Sequence, residues 1–94
     1  MAVVEREATI VNPLGVHARP AAEFVKTANK FSASIEVRRG EVSVNGKSIM
    51  GVMMLAAEQG ATLIIAANGD DAETAVDVLC ALVAAGFNEM DLTE

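Results

Sequence analysis

The 94-residue sequence has no tryptophan, no tyrosine, one cysteine, one histidine and only seven basic residues against thirteen acidic ones. Each scarcity excludes something. With aromatics at 3% and apolar residues at 52%, the core has to be assembled from Ala, Val, Ile, Leu and Met. A single cysteine, Cys80, rules out an internal disulfide and fits a reducing, cytoplasmic setting. It falls on the apolar stripe of the last helix-like run and is expected to be a buried small hydrophobe. One His and one Cys make no metal cluster unless carboxylate ligands are invented for it, so no metal or other cofactor is expected. The net charge of −6 argues against a nucleic-acid partner, which needs a basic patch. The longest apolar runs fall far short of a membrane span, and the start is acidic rather than signal-like. No repeats, linkers or low-complexity segments break the chain. It reads as one domain over residues 1–94, with 86–94 as a loose tail.

What is there alternates between two periodicities. Val3 to Val11 is β-rich and ends at Asn12-Pro13, which predicts a strand. Apolar residues at helical spacing then predict a helix from Ala18 to Lys30. Ser34–Arg38 and Glu41–Asn45 alternate on either side of Arg39-Gly40, a hairpin with one apolar and one polar face. A short, unusually apolar helix is expected from Ser48 to Gln59, stopped by Gly60. Thr62 to Ala67 is a continuous apolar run, fitting a central strand covered on part of both faces. After Asn68-Gly69, Asp70 and Glu73 resemble a capping box for a last helix. Its stripe runs through Ala72, Ala75, Val76, Leu79, Leu82 and Val83, and Gly86 ends it. The order is βαββαβα, an α+β chain whose helices cover one face of an antiparallel sheet.

The only histidine lies in Gly15-Val16-His17-Ala18-Arg19-Pro20, where strand pattern gives way to helix pattern. Proline is tolerated in a first helical turn, whose backbone donors lack intrahelical partners. His17 therefore falls at, or one residue before, a helix N-terminus. Unused N–H groups and the positive end of the helix dipole favour an anion there. Arg19 adds a planar fork of donors suited to phosphate oxygens. Neutral imidazole is a nucleophile, and a phosphoryl group placed on it would lie against these donors. The plainer reading is a surface or capping histidine, since titration near neutral pH only permits reactivity.

A second constellation is Gly46-Lys47-Ser48-Ile49-Met50-Gly51-Val52-Met53-Met54. Ser48 follows a turn and precedes a helical run, the position of an N-cap. If Val52, Leu55 and Ala56 face the sheet, Ile49, Met50 and Met53 cannot all be buried with them. The short helix then exposes a Met-rich apolar surface of the kind that binds partners. Gly51 allows another backbone to approach closely. Gly46-Lys47-Ser48 is not the end of a P-loop: the glycine that motif needs upstream is missing and the strand order around it is wrong.

Together, Gly-Val-His-Ala-Arg-Pro-Ala at 15–21 and Lys-Ser-Ile-Met-Gly-Val-Met at 47–53 resemble the two signature motifs of the HPr family. These are histidine phosphocarriers of the bacterial phosphoenolpyruvate-dependent sugar phosphotransferase system. The resemblance covers nearly the whole chain. It implies an open-faced β-sandwich with four antiparallel strands in order 1-4-2-3 and three helices on one face. It implies that His17 is phosphorylated, that Arg19 coordinates the phosphate, and that Ser48 is a regulatory serine modified by HPr kinase/phosphorylase. The implied function is carriage rather than enzymatic turnover, from phospho-enzyme I to enzyme IIA in sugar uptake, by a monomer with Ile49, Met50 and Met53 as the docking surface. Nitrogen-related paralogues share the histidine motif and act in regulation. Two other classes stay open on the residues alone: a non-reactive adaptor using the Met patch, and a small-molecule regulatory domain.

Overall fold

The computed structural model describes residues 3–13 and 15–88. Four strands, β1 (Val3–Thr9), β2 (Ser34–Arg39), β3 (Val42–Asn45) and β4 (Thr62–Asn68), form one antiparallel sheet in the order β1-β4-β2-β3. Three helices, α1 (Ala18–Ala28), α2 (Ile49–Met54) and α3 (Ala72–Ala84), cover one face. This is the open-faced sandwich, in the strand order, that the resemblance implies.

Alternation explains the sheet. Leu63, Ile65 and Ala67 of β4 and Ile35 and Val37 of β2 point into the core. The fully buried Phe24, Leu79, Val76 and Val83 meet them from the helices. On the opposite face Glu5 and Glu36 flank Ala66 in register from the two neighbouring strands. Arg38 bridges both carboxylates, at 3.0 Å to Glu5 and 3.2 Å to Glu36. Ala66 is buried although it lies on the uncovered face. The apolar run of β4 thus serves a strand covered in part on both sides, as its pattern suggests.

Several boundaries differ from the pattern. β1 ends at Thr9 rather than Val11, although Ile10 still exchanges backbone bonds with Gly60 and Ala61. α1 stops at Ala28, capped by Asn29, not at Lys30. The hairpin turns at Gly40-Glu41, with Gly40 at φ +59°. The largest difference is α2, six residues long instead of reaching Gln59. Ala56 turns left-handed at φ +49°, and Arg39 takes the carbonyls of Leu55 and Ala56 that a longer helix would use internally.

The capping box at Asp70 and Glu73 does not form. Asp71 occupies the N-cap of α3 without a side-chain cap bond. Its carboxylate instead accepts the backbone N–H groups of Ser32 (2.9 Å) and Ala33 (2.8 Å), tying the start of β2 to α3. Cys80 is only half-buried, at the rim of the core, and desolvation pushes its thiol pKa up. Phe87, expected in a loose tail, is 4% exposed and packs in the core from a short 3-10 turn at Gly86–Asn88. The rest of the expected tail, 89–94, lies outside the described residues. Among the described residues no helix is long and apolar enough to cross a membrane.

Asp71 makes stability depend on pH. The N–H of Ser32 foremost, with that of Ala33, holds its carboxyl below the ordinary carboxylate value against a partial loss of solvation. A carboxyl with a lowered folded-state pKa stabilises fully above its unfolded pKa, and that contribution disappears as pH falls through the lowered value. Asp71→Ala is therefore expected to melt below the wild type at pH 7, with the gap closing as pH drops below about 4. A gap that stayed constant down to pH 2, in thermal melts followed by circular dichroism, would remove Asp71 as its source.

Candidate functional site

His17 is the N-cap of α1, extended at φ −105° and ψ −162°, and its carbonyl accepts the first helical bond from Ala21 at 3.0 Å. Its ring is not used as the cap, which weakens the plainer reading of this histidine. The residue is half-buried rather than open to solvent. Ala18 and Arg19 supply the first-turn N–H groups that have no helical acceptor, because Pro20 has none to offer. Arg19 is exposed on the same turn. No acidic side chain occupies that turn to compete for it.

The approach to His17 is held by backbone. Asn12, fully buried, donates its side-chain N–H to the Gly15 carbonyl at 2.7 Å, while the Gly15 N–H returns to the Asn12 carbonyl at 3.0 Å. The Val16 N–H reaches the Ala57 carbonyl at 2.8 Å. Gly15, at φ +70°, lies so close to the segment after α2 that a Cβ there would stand 2.5 Å from the Ala57 oxygen. The loop before His17 is thus laid directly on the exit of α2.

Ser48 caps α2 as expected, its hydroxyl accepting the Gly51 N–H at 3.0 Å. Gly51 meets the carbonyl of Asn45, which a Cβ would approach to 3.2 Å, so the close neighbour it admits is the end of β3. Val52 and Leu55 turn inward, whereas Ala56, placed with them by helical spacing, is exposed because the helix has already ended. Ile49, Met50 and Met53 are 44, 74 and 40% exposed. Met54, at 71%, extends the patch beyond the residues picked out from the sequence. The first motif adjoins the segment that follows the second, through Val16 and Ala57. Among the described residues no three His, Cys, Asp or Glu side chains group into a metal-holding cluster.

Asn12 and Arg39 order this region without advertising it in the sequence. Asn12 resembles any Asn-Pro turn. Arg39 resembles a hairpin charge, yet it binds Leu55 and Ala56 at 3.1 and 2.8 Å and Glu58 at 2.6 Å.

An open-faced sandwich whose first helix begins at a histidine is the arrangement of the histidine phosphocarriers. The family pattern described as the PTS HPr component phosphorylation site matches residues 4–85. The chain is 42% identical over 87 residues to the phosphocarrier protein HPr of Cupriavidus necator, spanning 93% of this chain and 98% of that one. It is 40% identical over 89 residues to the phosphocarrier protein NPr of Shewanella violacea, spanning 95% and 98%. The crystal structure of HPr-C-His from Thermoanaerobacter tengcongensis superposes with a TM-score of 0.87 at 46% identity, over 92% of this chain and 97% of that one. The chain belongs to the HPr family of the phosphotransferase system: it is a phosphocarrier protein, not an enzyme.

The contact of Gly15 with Ala57 is open to test against a second glycine. Gly40 is also left-handed but has nothing within 4 Å of a would-be Cβ. Gly40→Ala should cost about 1 kcal/mol, from backbone strain alone. Gly15→Ala adds a backbone clash and should cost about 2–3 kcal/mol or more. Equal losses in chemical denaturation would mean that the close approach contributes nothing.

Proposed function

We propose that the protein accepts a phosphoryl group from phospho-enzyme I on His17 and passes it to a histidine of an enzyme IIA domain in sugar uptake. The observation that carries this reading is the placement of the sole histidine as the N-cap of α1, beside first-turn N–H groups that have no helical acceptor and beside Arg19. In the transfer the donor's P–N bond breaks and a new one forms to Nδ1 of His17, whose neutral ring supplies the electron pair. Such a step depends on position and charge neutralisation more than on covalent machinery. Arg19 would pair with two phosphate oxygens in a way a point charge only partly reproduces.

A carrier meets donor and acceptor in turn, so one adaptable apolar surface beside the histidine suits both encounters. Ile49, Met50 and Met53 fit that role, presented by a monomer in the cytoplasm. A nitrogen-related regulatory role is the second reading. The 40% identity to an NPr over 95% of this chain favours it on nearly the same footing as the sugar branch.

Incubation with enzyme I and labelled phosphoenolpyruvate tests the assignment. The wild type should take up label that is acid-labile and alkali-stable, as an N–P bond is. His17→Ala should take up none while melting close to wild type, since the residue lies at a helix start outside the core. Uptake by that variant would move the acceptor elsewhere.

Ser48 is read as a charge switch, a substrate of HPr kinase/phosphorylase. At an N-cap a phosphate of about −1.5 to −2 charge is stabilised by the helix dipole and nearby N–H groups. The same charge beside Ile49 and Met50 would be costly to desolvate in an apolar contact. Ser48→Asp should therefore remain folded yet accept phosphate much more slowly. Ser48→Ala should lose about 1 kcal/mol of capping and keep its transfer rate. If Ser48→Asp transfers like wild type, Ser48 is a cap and nothing more.

A further inference from the structure

Arg39 is the last residue of β2, and by sequence it is no more than a hairpin charge. Its guanidinium nonetheless reaches the far end of α2. Nη1 donates to the carbonyls of Leu55 at 3.1 Å and Ala56 at 2.8 Å, and Nη2 to Glu58 Oε1 at 2.6 Å. The two carbonyls lie at and just past the C-cap of a six-residue helix, where no further turn exists to satisfy them. Between them the chain bends through Ala56 at φ +49°, a conformation that alanine does not favour. A left-handed alanine persists only where its surroundings over-determine it. The planar fork of Arg39 does so from another element.

The segment held this way carries the histidine loop. The Ala57 carbonyl takes the Val16 N–H at 2.8 Å. Gly15 rests against Ala57 and Glu58 closely enough to exclude any side chain. His17 follows at once and starts α1. A continuous run of contacts therefore leads from the guanidinium of Arg39, through residues 55–58, to the backbone that aims the His17 ring.

We propose that Arg39 is a positioning residue for phosphoryl transfer, clamping residues 55–58 as the template on which the His17 loop is set. The inference rests on the reading of His17 as the phosphoryl acceptor. Its force comes from the sensitivity of group transfer to placement, where an error of about 1 Å can cost on the order of 100-fold in rate. The Glu58 ion pair is exposed and contributes little by itself. The paired carbonyls carry the clamp, and a lysine ammonium cannot span all three acceptors with the fork of an arginine.

The test compares the full chain with Arg39→Ala, Arg39→Lys and Glu58→Gln, at a temperature where each is folded. One readout is hydrogen-exchange protection of the Val16 amide by NMR, and the other is steady-state phosphoryl uptake from phospho-enzyme I. Arg39→Ala should lower Val16 protection about tenfold beyond any loss shared by core amides such as Ile65. It should also lower kcat about tenfold while KM for the carrier stays within about twofold. Arg39→Lys should fall between, and Glu58→Gln should stay near wild type in both. An arginine that merely stabilised the fold would lower the melting temperature, lower Val16 protection no more than that of core amides such as Ile65 and Leu79, and leave kcat unmoved, and that result overturns the proposal. If Arg39→Ala does not fold, Arg39→Lys decides it in the same way, wild-type protection or wild-type kcat being the refuting outcome. Failure of the underlying reading shows separately: His17→Ala would still accept phosphate, whereas Val16 exchange would report on the clamp regardless.

Discussion

The pairing of β1 with β4 is the contact on which the arrangement of the site depends. These strands are far apart in the sequence, yet Thr9 stands opposite Thr62 and Val3 opposite Asn68. Beyond Thr9 the ladder continues, with Ile10 bonded to both Ala61 and Gly60. Two loops are thereby forced together, one leaving β1 toward His17 and one leaving α2 toward β4. Val16 and Ala57 meet because the register leaves them nowhere else to go. A one-residue slip would turn every inward side chain of β1 and β4 outward, so burial of Leu63, Ile65 and Ala8 fixes the register. The core, to which the motifs give Val16, Ala21 and Val52, thus places the histidine beside the Met-rich helix.

A core built mostly of small aliphatic side chains makes this arrangement tight. Small side chains such as Ala21, Ala28, Ala67 and Ala75, all essentially buried, let helices and sheet approach closely. Interiors are close-packed, and shape differences of a single methylene are felt. Two phenylalanines are buried in it: Phe24 fully, in α1, and Phe87 after the end of α3, while Phe31 packs partly buried against it.

Much of this was legible in the sequence. Period-two alternation in 34–45, the helical stripes of α1 and α3 and the unbroken apolar run of β4 identify their elements without help, because each is dictated by which face meets water. The histidine at a helix start and the serine cap were legible for the same reason, as local chemistry at a boundary. What local pattern could not show is where distant groups intervene. Helical spacing carries α2 on to Gln59, but Arg39 arrives from β2 to take the carbonyls that would have continued it. Asp70 and Glu73 have the spacing of a capping box, but Asp71 beside them is engaged with Ser32 and Ala33, which lead into the neighbouring strand β2. Phe87 has no periodic neighbours, yet the left-handed turn at Gly86 (φ +69°) and Phe87 (φ +57°) folds it back inward. In each case a tertiary partner outweighs a propensity of a few tenths to about 1 kcal/mol.

The two ends of α2 are held differently, and that difference bears on how a signal at Ser48 would travel. The N-terminus is closed by a single hydroxyl accepting Gly51 N–H, a bond that a phosphate oxygen could replace with a stronger one. The C-terminus is fixed by Arg39 and by the contact of Ala57 with Val16. A charge added at the first end therefore strengthens the helix where it is weakest and pulls on nothing at the second. The histidine loop has no reason to move. Under the proposed reading, a phosphate on Ser48 acts on the apolar face between the two ends, by adding charge that a partner would have to desolvate, and not through the backbone that aims His17. Docking and aiming are thus carried by separate parts of one short helix, so affinity for partners can be changed without disturbing the geometry of transfer.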